Sequence, residues 1–162
     1  MKGEIKNPMR VDLKDIITGF IGCVVTISIL VWLTNITSAL WLMAPFGASC
    51  VLVFNSWDAP LSQPRNIIGG HFISSLVGLI TYHLIGDSPE AISIAVGLSI
   101  AGMMLTKTTH PPAGANPIAV MMGMHSWSFL FTPVLLGSVL IVLVALVLNN
   151  LRSSRTYPTF WI

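Results

Sequence analysis

The chain has 162 residues, 54% hydrophobic and 9% charged, with a net charge of +2 and a mean hydropathy of +0.81. A soluble domain carries roughly 25% charged residues, so this chain lacks the polar surface to coat a water-soluble core. The small net charge, without a basic cluster, also excludes nucleic acid as a partner.

Charge placement divides the chain. The fourteen charges lie within Lys2–Asp15, at Asp58 and Arg65, at Asp87 and Glu90, at Lys107, and at Arg152 and Arg155. Ile16–Phe54, Asn66–Gly86, Ala91–Thr106 and Thr108–Leu151 are left uncharged, whereas one bilayer crossing needs about 20 apolar helical residues. Residues 1–15 carry both signs and read as a cytoplasmic N-terminal segment, neither a signal peptide nor an acid-poor transit peptide. The first helix is therefore expected to remain as a span. Spans are expected over Ile16–Leu33, Asn66–Ile85, Ala91–Thr106 and Phe129–Leu148. The first three carry small residues every fourth position (Thr18, Gly22, Thr26; Gly70, Ser74, Gly78; Ser93, Gly97, Ala101), so helix backbones can approach closely in lipid. The same faces allow a homo-oligomer. Residues 151–162 read as a cytoplasmic tail. Cys23 and Cys50 fall in apolar stretches, read as small buried residues, and suggest no disulfide framework.

Two apolar segments cannot be straight helices. Ala39–Phe54 is interrupted by Pro45 and Gly47, and Pro111–Met124 by three prolines and Gly114; proline removes a donor and clashes with the preceding turn. Ser49 and Asn116 are good N-cap residues, and Pro117 suits the first helical position after Asn116, so each segment is expected to restart there as a broken helix. A shift of 67 residues superposes Pro45-Phe-Gly-Ala-Ser on Pro112-Ala-Gly-Ala-Asn, together with Val53 on Val120, Gly70 on Gly137, Leu76 on Leu143, Val77 on Val144 and Leu79 on Leu146. If the broken segments cross, all eight Lys and Arg residues fall on one side and Asp87 and Glu90 on the other, as the positive-inside rule prefers. Both termini are then cytoplasmic. Each repeat then makes an odd number of crossings, so the halves are inverted. The expected fold is an all-α membrane protein in a single domain over 16–150. It is a compact bundle of two inverted repeats, about 16–85 and 84–150, each with two full spans and one broken helix.

Thr109-His110-Pro111-Pro112-Ala-Gly-Ala-Asn116-Pro117 resembles the signature of the HPP family of integral membrane proteins. Pro45-Phe-Gly-Ala-Ser49 and Pro60-Leu-Ser-Gln-Pro-Arg-Asn-Ile-Ile-Gly-Gly70 resemble that family's other two motifs, in the same order, and the likeness covers about Asp12 to Asn150. The resemblance implies nitrite transport as a candidate activity, since family members have been linked to it in cyanobacteria and plastids. The family is usually described with four spans, which corresponds to broken segments that do not cross.

Helix N-termini present unpaired N–H groups and about half a positive charge, and so bind anions. Two such ends facing each other near the midplane would form a site for a small inorganic anion, from Gly47, Ala48 and Ser49 on one side and Gly114, Ala115 and Asn116 on the other. The alternative is a structural crossing held by packing alone. His110 could exchange protons, pair with the anion or bond the freed carbonyls of the break. His71, within a span, is expected to face a cavity or the bundle interior. Arg65 and Lys107 stand at the cytoplasmic mouth, and Arg65 serves equally as a topology determinant. His83 and His125 read as interfacial, as do Trp32, Trp41, Trp57, Trp127 and Trp161. Met121, Met122 and Met124 beside His125 lack the Cys or His pairing a copper site needs, so no metal and no cofactor is expected. No HExxH, nucleophile elbow or phosphate loop is present, and an enzyme is not expected. The sequence reading is an anion transporter or channel, nitrite first, in a bacterial inner membrane; a non-transporting subunit or sensor, or a membrane enzyme, are the alternatives.

Overall fold

The computed structural model describes residues 12–37 and 39–161; residues 1–11, most of the expected N-terminal segment, lie outside them. The described residues form six α-helices: α1 Leu13–Thr37, α2 Ala44–Asn55, α3 Pro64–Ile85, α4 Pro89–Leu105, α5 Asn116–Met122 and α6 Leu136–Asn150. A 3₁₀ turn over Pro111–Ala115 leads directly into α5. Among the described residues three stretches are long and apolar enough to cross a membrane unaided: Leu13–Thr37, Pro64–Ile85 and Trp127–Asn150. The first of these turns Ile16, Phe20, Val24 and Trp32 outward. Apolar surface on that scale has no place in water and fits lipid.

Local chemistry sets the boundaries. Ser88 caps α4, its Oγ accepting the Ala91 N–H at 3.2 Å, with Pro89 next in the chain. Gly86, at φ +84°, ends α3. The end of α4 closes with Lys107 N–H to Met104 C=O at 3.1 Å and Thr108 N–H to Met103 C=O at 2.9 Å. This places Lys107 at the left-handed position where glycine is usual. The expected last span is broken within its length: Thr132 is extended (φ −131°, ψ 116°) between the short turns of 127–135. Pro133 pushes the residue before it out of the helical region.

Contacts fix which ends lie together. Arg155 reaches from beyond α6 to Asp15 at the start of α1 and to the Phe54 carbonyl at the end of α2. Tyr157 O–H donates to the Ser62 carbonyl just before α3, and Arg65 at the start of α3 donates to the Thr106 carbonyl at the end of α4. At the opposite end His83 stacks on Trp127 at 4.9 Å, and Ala39 and Leu40 share a cleft with His125, Ser126, Ser128 and Phe129. The chain therefore runs the length of the bundle six times, the broken segments included. Among the described residues every Lys and Arg lies at the first end, with Asp12, Asp15 and Asp58; Asp87 and Glu90 lie at the other.

The 67-residue shift carries Ala44–Asn55 onto 111–122, the stretch filled by the 3₁₀ turn and α5. It also pairs two close approaches. A Cβ on Gly70 would lie 2.8 Å from the Thr108 carbonyl oxygen, and one on Gly137 would lie 3.4 Å from that of Trp41; Trp41 shifted by 67 is position 108. The small faces of α1 and α3 pack inward, Gly22 against Phe54 and Gly78 against Pro117. That of α4 does not: Ser93, Gly97 and Ala101 are exposed, while Ala91, Ala95, Ser99 and Met103 are buried. Residues 151–161 are no loose tail, since Arg155 and Tyr157 are buried against the bundle.

Candidate functional site

Where the two broken segments meet α3, four polar side chains are fully buried: Ser49, His71, His110 and Asn116. Ser49 Oγ lies 2.8 Å from His71 Nε2 and 2.9 Å from His110 Nε2. His110 Nδ1 lies 2.7 Å from the Leu61 carbonyl oxygen. His71 Nδ1 faces both ends of the Asn116 amide, Oδ1 at 3.2 Å and Nδ2 at 3.0 Å. Asn116 Nδ2 also donates to the His71 carbonyl at 3.1 Å and to Ser75 Oγ at 2.9 Å. The ring centroids of His71 and His110 are 5.1 Å apart, and Phe46 presents its edge to His71 at 5.1 Å.

Backbone packing explains how these groups come together. Residues 106–110 lie along the first turns of α3. Asn66 Nδ2 donates to the Thr109 carbonyl at 2.8 Å, Gly69 and Gly70 press on Thr108 and His110, and Ser74 Oγ–H donates to the Ala113 carbonyl at 2.6 Å. Any side chain at Gly70 would displace His110.

The capping roles expected of Ser49 and Asn116 are corrected. α2 starts at Ala44 with Pro45 next to it, so Ser49 lies inside the helix, and its hydroxyl is 3.2 Å from the Pro45 carbonyl oxygen. Pro111–Ala115 already turns, Asn116 continues that turn with helical dihedrals, and its side chain caps nothing. Proline at each segment's start supplies the fixed φ that begins a helix one turn earlier than a polar cap would. Of the expected binding residues, the structure joins Ser49, His71, His110 and Asn116. Gly47, Ala48, Gly114 and Ala115 lie on the outer side of the same two segments. There an apolar groove of about 600 Å³ is lined by Ala44, Pro45, Ala48, Val51, Pro112 and Ala115, among others; Gly47 and Gly114 do not line it. A Cβ on either glycine would meet nothing within 4 Å. Arg65 and Lys107 are neighbours through Thr106, at the end where the 106–110 stretch begins.

Sequence reasoning missed Ser75 and the Leu61 carbonyl. Ser75 stands four residues after His71, on the same helix face, and that spacing could have flagged it; nothing local marks the carbonyl. Ser49, His71 and Asn116 also have the outline of a nucleophilic triad, although a second imidazole covers the serine oxygen. Among the described residues no three His, Cys, Asp or Glu side chains gather as metal ligands do.

These features define a multi-pass, all-helical membrane protein with a buried polar cluster at the junction of two broken segments. The chain belongs to the HPP family: the family model described as the HPP transmembrane region matches residues 8–158. It is 38% identical to a curated transmembrane protein of Dictyostelium discoideum over 99% of this chain and 55% of that protein. A second Dictyostelium transmembrane protein is 41% identical over 74% of this chain and 45% of its own length. The chain thus spans about half the length of the curated relatives it matches. No solved structure matches it.

Proposed function

We propose that the chain carries a small inorganic anion across the membrane, nitrite first among the candidates, by way of the junction between its two broken segments. One observation carries this: four polar side chains from α2, α3 and the 110–122 stretch converge, fully buried, in a bundle whose outer surface is apolar. Polar and ionisable groups are rare in a membrane interior, and where they gather they often mark substrate or proton pathways. The groove beside the cluster supports the same role, since the first turns of both segments, with their positive dipole ends, border it. Arg65 and Lys107 stand at the basic end as the mouth.

Further support comes from the paired approaches of Gly70 to Thr108 and of Gly137 to Trp41. Reciprocal contacts between matched positions are what a two-fold axis exchanging the halves produces, and six passes make that axis lie in the membrane plane. The basic end is proposed to face the cytoplasm, as the positive-inside rule prefers. Oligomer contacts would use the outward Ser93–Gly97–Ala101 face of α4. The protein carries out no chemistry on the anion.

The test is flux. Purified protein in liposomes should admit nitrite faster than empty liposomes, and Asn116→Ala should slow it. Passage of nitrite, nitrate, formate and chloride no faster than through protein-free liposomes would overturn transport.

A further inference from the structure

Hydrogen positions in the buried cluster follow from counting donors. The contact of His110 Nδ1 with the Leu61 carbonyl oxygen, 2.7 Å away, needs a hydrogen on that nitrogen. In a neutral ring Nε2 is then an acceptor, and its neighbour at 2.9 Å, Ser49 Oγ, must donate to it. Serine has one hydrogen, so the contact at 2.8 Å with His71 Nε2 must be donated by the histidine. His71 Nδ1 then accepts from Asn116 Nδ2 at 3.0 Å, and the second amide hydrogen is shared between the His71 carbonyl and Ser75 Oγ. Among neutral arrangements this one gives a hydrogen to both contacts between Ser49 and the imidazoles. If Ser49 instead donated to the Pro45 carbonyl, His110 Nε2 would face an oxygen lone pair.

One added proton also finds an acceptor. Placed on His71 Nδ1, it is donated to Asn116 Oδ1, 3.2 Å away, because the amide presents both its ends to that nitrogen. His71 Nε2 can then pass its proton to Ser49 Oγ while the Ser49 hydroxyl proton passes to His110 Nε2. The charge moves from one ring to the other, two O–H and N–H bonds form as two break, and no heavy atom leaves its place. We infer that His71, Ser49 and His110 form a proton relay that couples a proton to the anion, so that the two cross together. The groups facing the rings are Ser49 and Phe46 from α2, the Leu61 carbonyl, Ser75 and the His71 carbonyl from α3, and Asn116 from α5. None is charged, and each ring is the other's titratable neighbour, 5.1 Å away. Its His110 end is held by the Leu61 carbonyl, on the side of the basic end, and its His71 end lies further along α3.

The coupling rests on the transport reading, and two measurements separate them. In liposomes with the membrane potential clamped, nitrite entry should carry about one proton per ion. An imposed pH gradient should concentrate nitrite about tenfold per pH unit, above the level in protein-free liposomes. Nitrite flux that moves no protons and ignores the gradient overturns the coupling and leaves transport standing; absence of any flux overturns both. Ser49→Ala removes the bridge and should lower the gradient-driven rate about a hundredfold, and undiminished coupling in that variant overturns the relay. Nitrogen NMR of wild-type protein should find His110 carrying its hydrogen on Nδ1 and His71 on Nε2 at alkaline pH. The same tautomer on both rings overturns the wiring.

Discussion

Glycines in this chain sort by what a methyl group would meet. At Gly70 it would lie 2.6 Å from His110 Cβ and at Gly78 2.8 Å from the Pro117 Cα. Gly70→Ala and Gly78→Ala should each cost about 1–3 kcal/mol of stability through overpacking, measured by thermal melting in detergent. At Gly47 and Gly114 an added Cβ meets nothing within 4 Å. Gly47→Val and Gly114→Val should therefore leave both the fold and nitrite flux essentially unchanged, since neither residue lines the groove or the buried cluster; loss of flux in a folded Gly114→Val protein would move the anion path to the outer side of these segments. Lys107 poses the reverse case. It holds a left-handed φ of 56° that costs a residue other than glycine roughly 1 kcal/mol or more, and such strain concentrates at functional positions. Lys107→Gly should melt no lower than wild type while slowing flux. A lower melting point would mean that the lysine side chain is structural.

At the scale of elements, the two broken segments and residues 151–161 carry what helix periodicity alone does not. α2 and the Pro111–Met122 stretch have 12 residues each, about 18 Å of helix if fully regular, well short of a bilayer core of about 30 Å. The loops that complete their passes are only partly covered: Met43, Thr108 and His110 are buried, while Leu40, Lys107 and Met124 are exposed. The stretch after α6 seals the basic end. Arg155 donates to the Phe54 carbonyl at 2.8 Å, to Asn149 Oδ1 at 2.7 Å and to Asp15 at 2.7 Å. Arg155→Ala would strand the buried Phe54 carbonyl and Asn149 Oδ1, Asp15 being exposed to water, and should cost about 2 kcal/mol. Tyr157 donates to the Ser62 carbonyl, and burial raises its phenol above the ordinary tyrosine value. A raised folded pKa means that the unfolded chain loses the proton first. Stability is therefore complete below about pH 10 and falls as pH rises beyond it. Tyr157→Phe should lose about 1 kcal/mol at neutral pH and remove that alkaline loss, as melting curves across pH would show.

For the whole molecule, the arrangement of charge is the decisive feature. With Cys23 and Cys50 replaced by alanine, cysteines introduced at Asp58 and Lys107 should react with an impermeant reagent from one side of the membrane. Cysteines at Asp87 and Glu90 should react from the other. Labelling of positions 58 and 87 from the same side would contradict the six passes and, with them, an inverted arrangement of the halves.

Membrane class, the uncharged segments and the shortness of the two proline-bearing helices were determined by the sequence itself, because each rests on a local cost: a charge in lipid, or a missing N–H in a helix. The breaks expected at Ser49 and Asn116 are absent, since each segment begins at its proline and runs on through those residues. The segregation of charge was legible too, once the broken segments were counted as passes. Tertiary structure decided the rest. Ser49 and Asn116 were singled out as caps for the right segments, yet they lie within helical turns and serve through their side chains, because each joins His71 from a different element. The inward or outward choice of each small-residue face, the anchoring of residues 151–161 and the pairing of His110 with the Leu61 carbonyl were likewise open. They depend on contacts between positions far apart in the chain, as with Arg155 and Asp15, and no local propensity encodes which buried donor will find which acceptor.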